Sequence, residues 1–465
     1  MQEHLHITPR GVKTALRALS VAGLICMLAA SGCINGQGVD SPSQDSSAGS
    51  TAAHTRKVAA QNLKFGIPTA GDVLIAGGAD ASNESIADAE FFNPSSGQFI
   101  VTGIGASSRA AISAAPLSPT QVLFAGGFSG GATIKNFSLN LAGKVLSSAE
   151  SFDEVTGAFS PAGTMGTPRM GFTATELNNG KVLVAGGLDN HDNVLDTAEL
   201  YDPATRKFTT VGNTMGDRRM FQTATLLLSG KVLIAGGATN LSGDTTNSAD
   251  IYDPASNSFT PATFPMDHQR AAHTATLFTS GPMAGKVLIA GGVGGSSFFF
   301  KDSSAELYDP VSQQFVLLSS FMNEPRSMHT ATLLDNGDVL LAGGFSGTVA
   351  VTGGMLSGAS GVISNSAETF DPSSGDFTCV GGFNNDTLRC NQSMGVARAG
   401  HTATLLATGL HPHRVLIAGG IGAADPAAHG IELSSAELFN PAAGSFTATG
   451  PMSTARALHT ATLLH

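Results

Sequence analysis

The sequence is poor in several residue types. It has no tryptophan, three tyrosines and only 13% charged residues among 465. This composition is unlike that of a helical bundle, and the 57 glycines favour turn-rich β structure. Acidic residues outnumber basic ones, 35 against 24, and the net charge of -11 removes the basic surface that nucleic-acid-binding proteins need. We therefore expect no nucleic-acid partner.

The N-terminus lacks an apolar run long enough to span a bilayer. Basic residues precede an apolar run over residues 18–30, and small residues lead to Cys33, which is typical of a secretory signal peptide. Residues 30–33, Ala-Ser-Gly-Cys, resemble a bacterial lipobox, although Ala30 stands where Leu is usual. The resemblance implies a signal peptide over residues 1–33 and lipidation of Cys33, with the lipid as the only membrane anchor. An ordinary secreted protein and an uncleaved anchor are the alternatives.

Residues 34–62 have hardly any large apolar side chains and are rich in Ser, Gly, Gln, Asp and Ala. Such a segment cannot bury enough apolar surface to offset the entropy of ordering. We interpret it as a flexible linker, while a disordered remnant without a spacer role fits the same composition.

Cysteine is also scarce. Of the four cysteines, Cys26 lies in the predicted signal peptide and Cys33 at its cleavage site, which leaves Cys379 and Cys390 in the mature chain. In an oxidising compartment we expect these two to form a disulfide. Neither belongs to a CxxC pair, so a redox or metal role has little support.

One module recurs along the chain. Residues 329–344, HTATLLDNGDVLLAGG, contain two apolar runs around the turn Asn336-Gly337, which predicts a β-hairpin that ends at a glycine pair. Seven glycine pairs follow apolar runs in this way. They are Gly77-Gly78, Gly126-Gly127, Gly186-Gly187, Gly236-Gly237, Gly291-Gly292, Gly343-Gly344 and Gly419-Gly420. We assign these fourteen glycines a structural role.

A second motif follows each glycine pair: an acidic residue, an aromatic residue two positions later, Asp or Asn, then Pro, and a Phe seven positions after the aromatic. The constant spacing predicts a tight hairpin of fixed register, because one inserted residue would exchange its two faces. The second copy has Glu154 in place of Pro. Each unit thus holds four short strands over roughly 50 residues, which suits a propeller blade.

The glycine pair and the aromatic pair are hallmarks of the kelch family, which the chain resembles in all seven units, with Phe in place of the usual Trp. The resemblance implies an all-β, seven-bladed kelch-type propeller over residues 66–465, with four antiparallel strands per blade. An oxidase related to galactose oxidase has the same architecture and holds copper with His and Tyr. All three tyrosines here belong to the repeat motif, so we predict no such site.

The first unit lacks a HTATLL strand, whereas the chain ends on RALHTATLLH, residues 456–465. We predict that this C-terminal strand completes the first blade and closes the ring, which removes exposed sheet edges. In the alternative, residues 58–65 supply the missing strand and the C-terminal copy begins a truncated eighth blade.

Two residue types repeat just before the HTATLL strands. One arginine per blade, matched by one acidic residue of the second motif, predicts an ion pair that fixes blade to blade; an anion-binding ring would need arginines without carboxylate partners. The arginines are Arg109, Arg169, Arg219, Arg270, Arg326, Arg398 and Arg456. Three positions after the arginine, four blades have histidine: His273, His329, His401 and His459. Because other blades have Phe172, Gln222 or Ile112 there, we favour packing over a metal site.

Insertions after Gly127, Gly344 and Gly420, and around the two mature cysteines, should emerge on one face of the ring. Such loops either carry recognition or are neutral surface additions. We find no GxSxG, P-loop, HExxH or SxDxGxTW motif and predict no catalytic, cofactor or metal site.

The sequence therefore predicts a monomeric, extracytoplasmic lipoprotein of the cell envelope that is a non-catalytic binding module for an unknown protein or glycan. The alternative is a carbohydrate- or cell-wall-active enzyme, galactose-oxidase-like or a hydrolase, with its site on the insertion-bearing face. A purely structural role is a third hypothesis, and it predicts an apolar patch there.

Overall fold

The computed structural model describes residues 66–135, 138–295, 300–301, 303–352, 355–386, 389–391, 393–409, 412–422 and 431–465. The predicted signal peptide, Cys33 and the linker lie outside these ranges. Within them every regular element is a β-strand. No described segment forms a helix that is long and apolar enough to cross a membrane.

Seven four-stranded antiparallel sheets form the blades of a propeller. The first strand of each blade contacts the first strands of both neighbouring blades, so these seven strands surround the axis. From blade 1 to blade 7 the first strands are Thr460–Leu463, Ser113–Ser118, Thr173–Glu176, Thr223–Leu226, Thr274–Leu277, Thr330–Leu333 and Thr402–Leu405. The predicted fold class is confirmed.

The second strands are short apolar runs and are buried along their length apart from Gln121. They are Val73–Ala76, Gln121–Ala125, Val182–Ala185, Val232–Ala235, Val287–Ala290, Val339–Ala342 and Val415–Ala418. The third strands contain the acidic residue and the first aromatic. They are Asp88–Asn93, Ser148–Asp153, Ala198–Asp202, Ala249–Asp253, Ala305–Asp309, Ala367–Asp371 and Ala436–Asn440. The fourth, outermost strands are Gln98–Ile104, Ala158–Thr164, Lys207–Thr210, Ser258–Pro261, Gln314–Leu317, Asp376–Cys379 and Ser445–Ala448.

The C-terminal strand closes the ring, as predicted. Thr460–Leu463 pairs antiparallel with Val73–Ala76, with Val73 opposite Leu463 and Ala76 opposite Thr460. Blade 1 thus combines both ends of the repeat region, and the alternative of a truncated eighth blade is wrong. Closure gives every blade two neighbours against which to bury its faces.

A separate apolar cluster fills each of the seven interfaces between adjacent blades. The first aromatic of each repeat is buried there; Tyr201 of blade 3, for example, packs among side chains of blade 2. It also pairs with the Phe seven positions later, and Tyr201 and Phe208 have ring centroids 4.7 Å apart. Phe and Tyr therefore occupy the inter-blade position that the sequence predicted.

The glycine pairs hold adjacent blades close together. Both glycines of the third pair have positive φ, 68° at Gly186 and 95° at Gly187, a conformation that strongly favours glycine. A Cβ atom on Gly186 would lie 2.6 Å from the carbonyl oxygen of Arg219 in the next blade. The Gly187 N–H donates to that same oxygen at 2.7 Å. The equivalent hydrogen bond recurs at all seven pairs.

Because the strands of a blade alternate in direction, the loops between second and third strands and the links between blades emerge on the same side. We call this side the insertion face. Five additional two-stranded sheets lie there, as predicted. They are Phe128–Lys135 with Ser138–Val145, Val293–Gly294 with Phe300–Lys301, Phe345–Thr352 with Met355–Ile363, Phe383–Asn384 with Arg389–Cys390, and Ile421–Gly422 with Ile431–Glu432.

Candidate functional site

The insertion face is uneven around the ring. Blades 2, 5, 6 and 7 carry additional strands there, whereas the corresponding loops of blades 3 and 4 close at once through the bridges Leu188 to Val194 and Ala238 to Thr245. The inserted strand Phe300–Lys301 of blade 5 contacts Phe345–Thr352 of blade 6. The insertions of blades 5, 6 and 7 thus form one raised sector, whereas the blade 2 insertion stands between the short loops of blades 1 and 3.

The side chains of the repeated arginines form bonds within the propeller scaffold. They are 0% to 3% exposed, and each lies 2.6 to 3.5 Å from the carboxylate of its own repeat. In blade 3, Arg169 also donates to the carbonyl oxygens of Gly186 and Thr197 at 2.9 Å. Since each of these seven arginines has a carboxylate partner, the hypothesis of an anion-binding ring is wrong.

The ion pair differs from our prediction in one respect, because both partners belong to the same blade. Arg169 lies in the link that enters blade 3, and Glu199 is on the third strand of that blade. Glu199 also accepts hydrogen bonds from the N–H groups of Gly166 and Thr167 in that link, at 2.7 and 3.0 Å. The pair therefore fastens the incoming link, while the arginine carbonyl, through the glycine pair, connects blade to blade.

The four histidines are buried and bonded across blades. The Nε2 atom of His329 lies 3.0 Å from the hydroxyl of Thr274 in the preceding blade, and the other three histidines repeat this contact. Burial, and secondarily Arg326, lower the pKa of His329 to about 3, so the ring is neutral at physiological pH. The described residues include no group of three or more His, Cys, Asp or Glu side chains arranged to hold a metal. Packing, our favoured interpretation, describes these histidines.

Sequence reasoning missed a ring of main-chain hydrogen bonds around the axis. The residue two positions after each arginine donates its N–H to the carbonyl of its counterpart in the preceding blade, at 2.9 to 3.3 Å. All seven residues have φ between 51° and 62°. They are Ala111, Gly171, Phe221, Ala272, Met328, Gly400 and Leu458. Because this conformation costs a non-glycine residue about 1 to 2 kcal/mol, the closed ring must hold it in place.

A buried acid stands out on the insertion face. Glu432, at the end of the blade 7 insertion, is 6% exposed. Its neighbour Leu433 accepts a hydrogen bond from the N–H of Arg456, while Ala79, the residue before Asp80, bridges Ala457. The residues that carry the carboxylates, Glu432 and Asp80, thus lie beside successive residues, Arg456 and Ala457, of the link that enters blade 1. Burial, and secondarily the charge of Asp80, raise the pKa of Glu432 to about 7.

The link from blade 6 to blade 7 contains a disulfide between Cys379 and Cys390, whose Cα atoms are 5.3 Å apart. Both cysteines are buried. The bridge closes a short loop that includes the paired strands Phe383–Asn384 and Arg389–Cys390. The disulfide therefore fixes the base of this insertion.

Glu154, the exception in the second repeat, lies on the opposite face at the seam of the ring. The main chain of His465, which follows the closing strand, lies close enough to this carboxylate to favour its ionised form. Burial outweighs this effect and raises the pKa of Glu154 to about 7. Glu154 of blade 2 thus lies against the end of the closing strand.

Comparison with known proteins agrees with the propeller fold. Residues 169–215, which run from the arginine of blade 3 into the next link, match the family model described as Kelch motif. The chain carries the Kelch motif on a seven-bladed propeller. No curated protein matches the sequence.

Two solved structures are similar to this kelch-type propeller. A fungal alcohol oxidase of the AA5 family, in complex with copper, has a TM-score of 0.55 and 18% identity, and the match covers 79% of this chain and 71% of that one. The structure of YjhT has a TM-score of 0.50 and 12% identity, with coverage of 73% and 97%. At these identities the likeness shows the fold alone.

The described histidines and tyrosines are not arranged as a copper site made of His and Tyr ligands. The three tyrosines are 0% to 1% exposed and occupy inter-blade positions, and each histidine of the repeated set is bonded to a threonine of the preceding blade. We therefore derive no copper chemistry for this propeller.

Proposed function

We propose that this protein is an extracytoplasmic lipoprotein of the cell envelope whose kelch-type propeller binds a protein or a glycan through its insertion face, without catalysis. The observation that carries the proposal is the location of all five additional strand pairs on that face. A rigid ring with extended loops on one side is a common arrangement for recognition.

The side chains on the links also support a binding role. Phe264, Phe321 and Phe383 are 44%, 52% and 42% exposed, and they lie on the links that enter blades 5, 6 and 7. Aromatic side chains are enriched at protein interfaces, because they bury a large area at little cost in entropy. These three adjacent links coincide with the raised sector, so a protein partner would contact this part of the ring.

Site-specific photo-cross-linking tests the proposed surface. A photoreactive residue at position 385 lies in the exposed link that enters blade 7, and one at position 179 lies in an exposed turn on the opposite face. In a native envelope extract, position 385 should give a discrete adduct and position 179 should not. Equal labelling from both faces, or an adduct from position 179 alone, would contradict the proposal. Digestion of the adduct with protease or glycosidase then distinguishes a protein partner from a glycan.

The cell-envelope location is part of the proposal and is supported by the lipobox-like segment ending at Cys33. In membrane fractionation, Cys33→Ala should move the protein from the membrane to the soluble extracytoplasmic fraction. Unchanged fractionation of this variant would refute the lipid anchor.

A second candidate function is a carbohydrate- or cell-wall-active hydrolase, and Glu432 favours it. Two carboxylates with different environments are the arrangement that glycoside hydrolysis uses, one held protonated as an acid and the other ionised. Glu432, with its pKa of about 7, would be the acid, and Asp80 the second carboxylate. If the protein releases reducing ends from a cell-wall polysaccharide, Glu432→Gln should abolish that activity. Activity that survives in this variant would exclude Glu432 as the acid.

A further inference from the structure

A groove of about 400 Å³ lies at the rim of blade 7, between the link that follows the disulfide and the fourth strand. Its lining includes Ser393, Met394, Phe446, Ala448 and Pro451. Three of these side chains are apolar and large enough to shield a small polar group from water. The groove lies outside the raised strands of the insertion face, and it does not depend on the function proposed above.

The main chain of Phe446 offers a donor and an acceptor at this groove. The N–H of Thr449 donates to the carbonyl of Ala436 at 3.0 Å, so these two residues form a hydrogen-bonded pair of the ladder. Hydrogen-bonded pairs alternate with non-bonded ones in an antiparallel ladder. Phe446, three positions before Thr449 and opposite Phe439, therefore turns its N–H and C=O away from the sheet.

Blade 4 shows which chemical group satisfies this pair of main-chain atoms. There the side chain of Asn213, on the incoming link, reaches the equivalent residue Phe259. The N–H of Phe259 donates to Oδ1 of Asn213 at 2.7 Å, and Nδ2 of Asn213 donates to the Phe259 carbonyl at 2.9 Å. In blade 6, Asn323, from the link position that corresponds to Gly216, donates to the Phe377 carbonyl at 3.4 Å. A side-chain carboxamide therefore fits this position in the repeat.

In blade 7 the described residues leave the position open. The hydroxyl of Ser393 is buried in the lining and has no hydrogen-bond partner among them. An unsatisfied buried hydroxyl is costly, and a bound polar group would remove the cost. Position 392, which corresponds to Asn213 two residues before the conserved Met, lies outside the described residues.

We propose that the blade 7 groove binds a primary carboxamide, the side-chain amide of a glutamine or asparagine in a peptide partner. A primary carboxamide presents its C=O and one N–H on the same edge, which matches the Phe446 N–H and C=O as Asn213 matches Phe259. A trans secondary amide presents these groups on opposite sides and cannot make both bonds. The Ser393 hydroxyl lies in the same lining and supplies a third polar contact.

Ligand-observed NMR with propionamide and its secondary analogue N-methylpropionamide tests this specificity on the full mature chain. We expect saturable binding of propionamide, and binding of N-methylpropionamide at least about tenfold weaker, since it loses one of two paired hydrogen bonds. Capped Ala-Gln-Ala and Ala-Glu-Ala peptides extend the comparison, and the glutamine peptide should bind in preference. Equal binding of the two amides, or of the two peptides, would refute the proposal, the latter indicating main-chain pairing.

Two variants locate the site. Ala448→Trp fills the exposed side of the groove and should abolish propionamide binding, with the melting temperature as a check on folding. Asn213→Ala uncovers the Phe259 groups and should add a second site in blade 4. Propionamide binding that persists in Ala448→Trp would place the binding site elsewhere in the chain. Propionamide binding that appears only after Gln392→Ala would mean that Gln392 fills the groove. Either result overturns the proposal.

Discussion

Blades 3 and 4 and blades 6 and 7 are built from the same repeat, yet they differ on one face. All four blades share the buried arginine pair, the glycine pair and the aromatic pair. In blades 3 and 4 the loops on the insertion face close after a single bridge, whereas blades 6 and 7 extend into paired strands and contain the disulfide.

This difference distinguishes the repeated residues, which build the ring, from the inserted strands, which we assign to binding. The polar residues that repeat in every blade are bonded to one another and leave little for a ligand to contact. Blades 3 and 4 show how little a blade needs in order to fold, so the additional strands of blades 6 and 7 are not required by the ring. Loss of a repeated element should therefore affect stability, and loss of an inserted element should affect binding.

The largest expected effect is loss of the closing strand. Deletion of residues 456–465 removes the first strand of blade 1 together with the Arg456–Glu90 pair. Blade 1 would then lose Ala461 and Leu463 from its interface with blade 7, and Leu464 from its interface with blade 2. We expect a fall in melting temperature of more than about 10 °C, or failure to fold, measured by circular dichroism. A negligible change would contradict the closed ring.

The next effect is loss of a buried charge partner in a blade without insertions. Arg169→Leu leaves Glu199 buried and unpaired, and we expect a loss of about 3 to 5 kcal/mol in unfolding free energy from urea titration. The matched control is Lys181→Ala, which removes the exposed pair with Asp202 and should cost less than about 1 kcal/mol. Similar costs for the two variants would contradict the structural role of the arginine.

Removal of the disulfide should have a smaller effect. The double variant Cys379→Ser and Cys390→Ser opens a short loop in the link before blade 7, and the chain-entropy model predicts a loss of about 3 kcal/mol. We expect the ring to remain folded, because the strands of blade 7 do not depend on this loop. Complete unfolding of the double variant, seen by circular dichroism, would show that this insertion belongs to the scaffold.

The smallest effect is a pH dependence at the seam. The pKa of Glu154 rises from 4.5 to about 7 on folding, so its contribution to stability is complete below pH 4.5 and is lost as the pH rises through 7. The wild-type melting temperature should fall between pH 5.5 and 8, and Glu154→Gln should reduce this fall by about 1 to 3 °C. Glu432→Gln is the matched variant for the other acid with a pKa of about 7. Identical profiles of melting temperature against pH for wild type and Glu154→Gln would exclude Glu154 as a source of the pH dependence.

The repeated features could be predicted from the sequence because they recur at fixed spacing. The glycine pairs, the aromatic pairs, the four strands per blade and the closing strand are each visible as a pattern with period and register. The carboxylate partner of each arginine was also predictable from the sequence. That the two partners belong to the same blade was not, because the arginine lies in the link between two blades and could have reached either one.

Features that depend on contacts across the ring left no local signal. The axial hydrogen bonds join residues such as Phe221 and Ala272, whose side chains have nothing in common. The proximity of Glu432 to Asp80 follows only from closure of the ring, which brings blade 7 beside blade 1. A glycine at two of the seven axial positions, Gly171 and Gly400, was the one hint of a left-handed conformation.

The most direct test of the account replaces residues 347–361, the outer part of the blade 6 insertion, with a short turn. Phe345 and residues 363–366 must remain, because Phe345 is buried and Ser366 accepts hydrogen bonds from Arg326 through its carbonyl and hydroxyl. The melting temperature and the capture of the cross-linked partner are then measured on the same preparation. We predict a melting temperature within about 2 °C of wild type and loss of the partner adduct. A large fall in melting temperature, or full retention of the adduct, would contradict the separation of scaffold from binding surface.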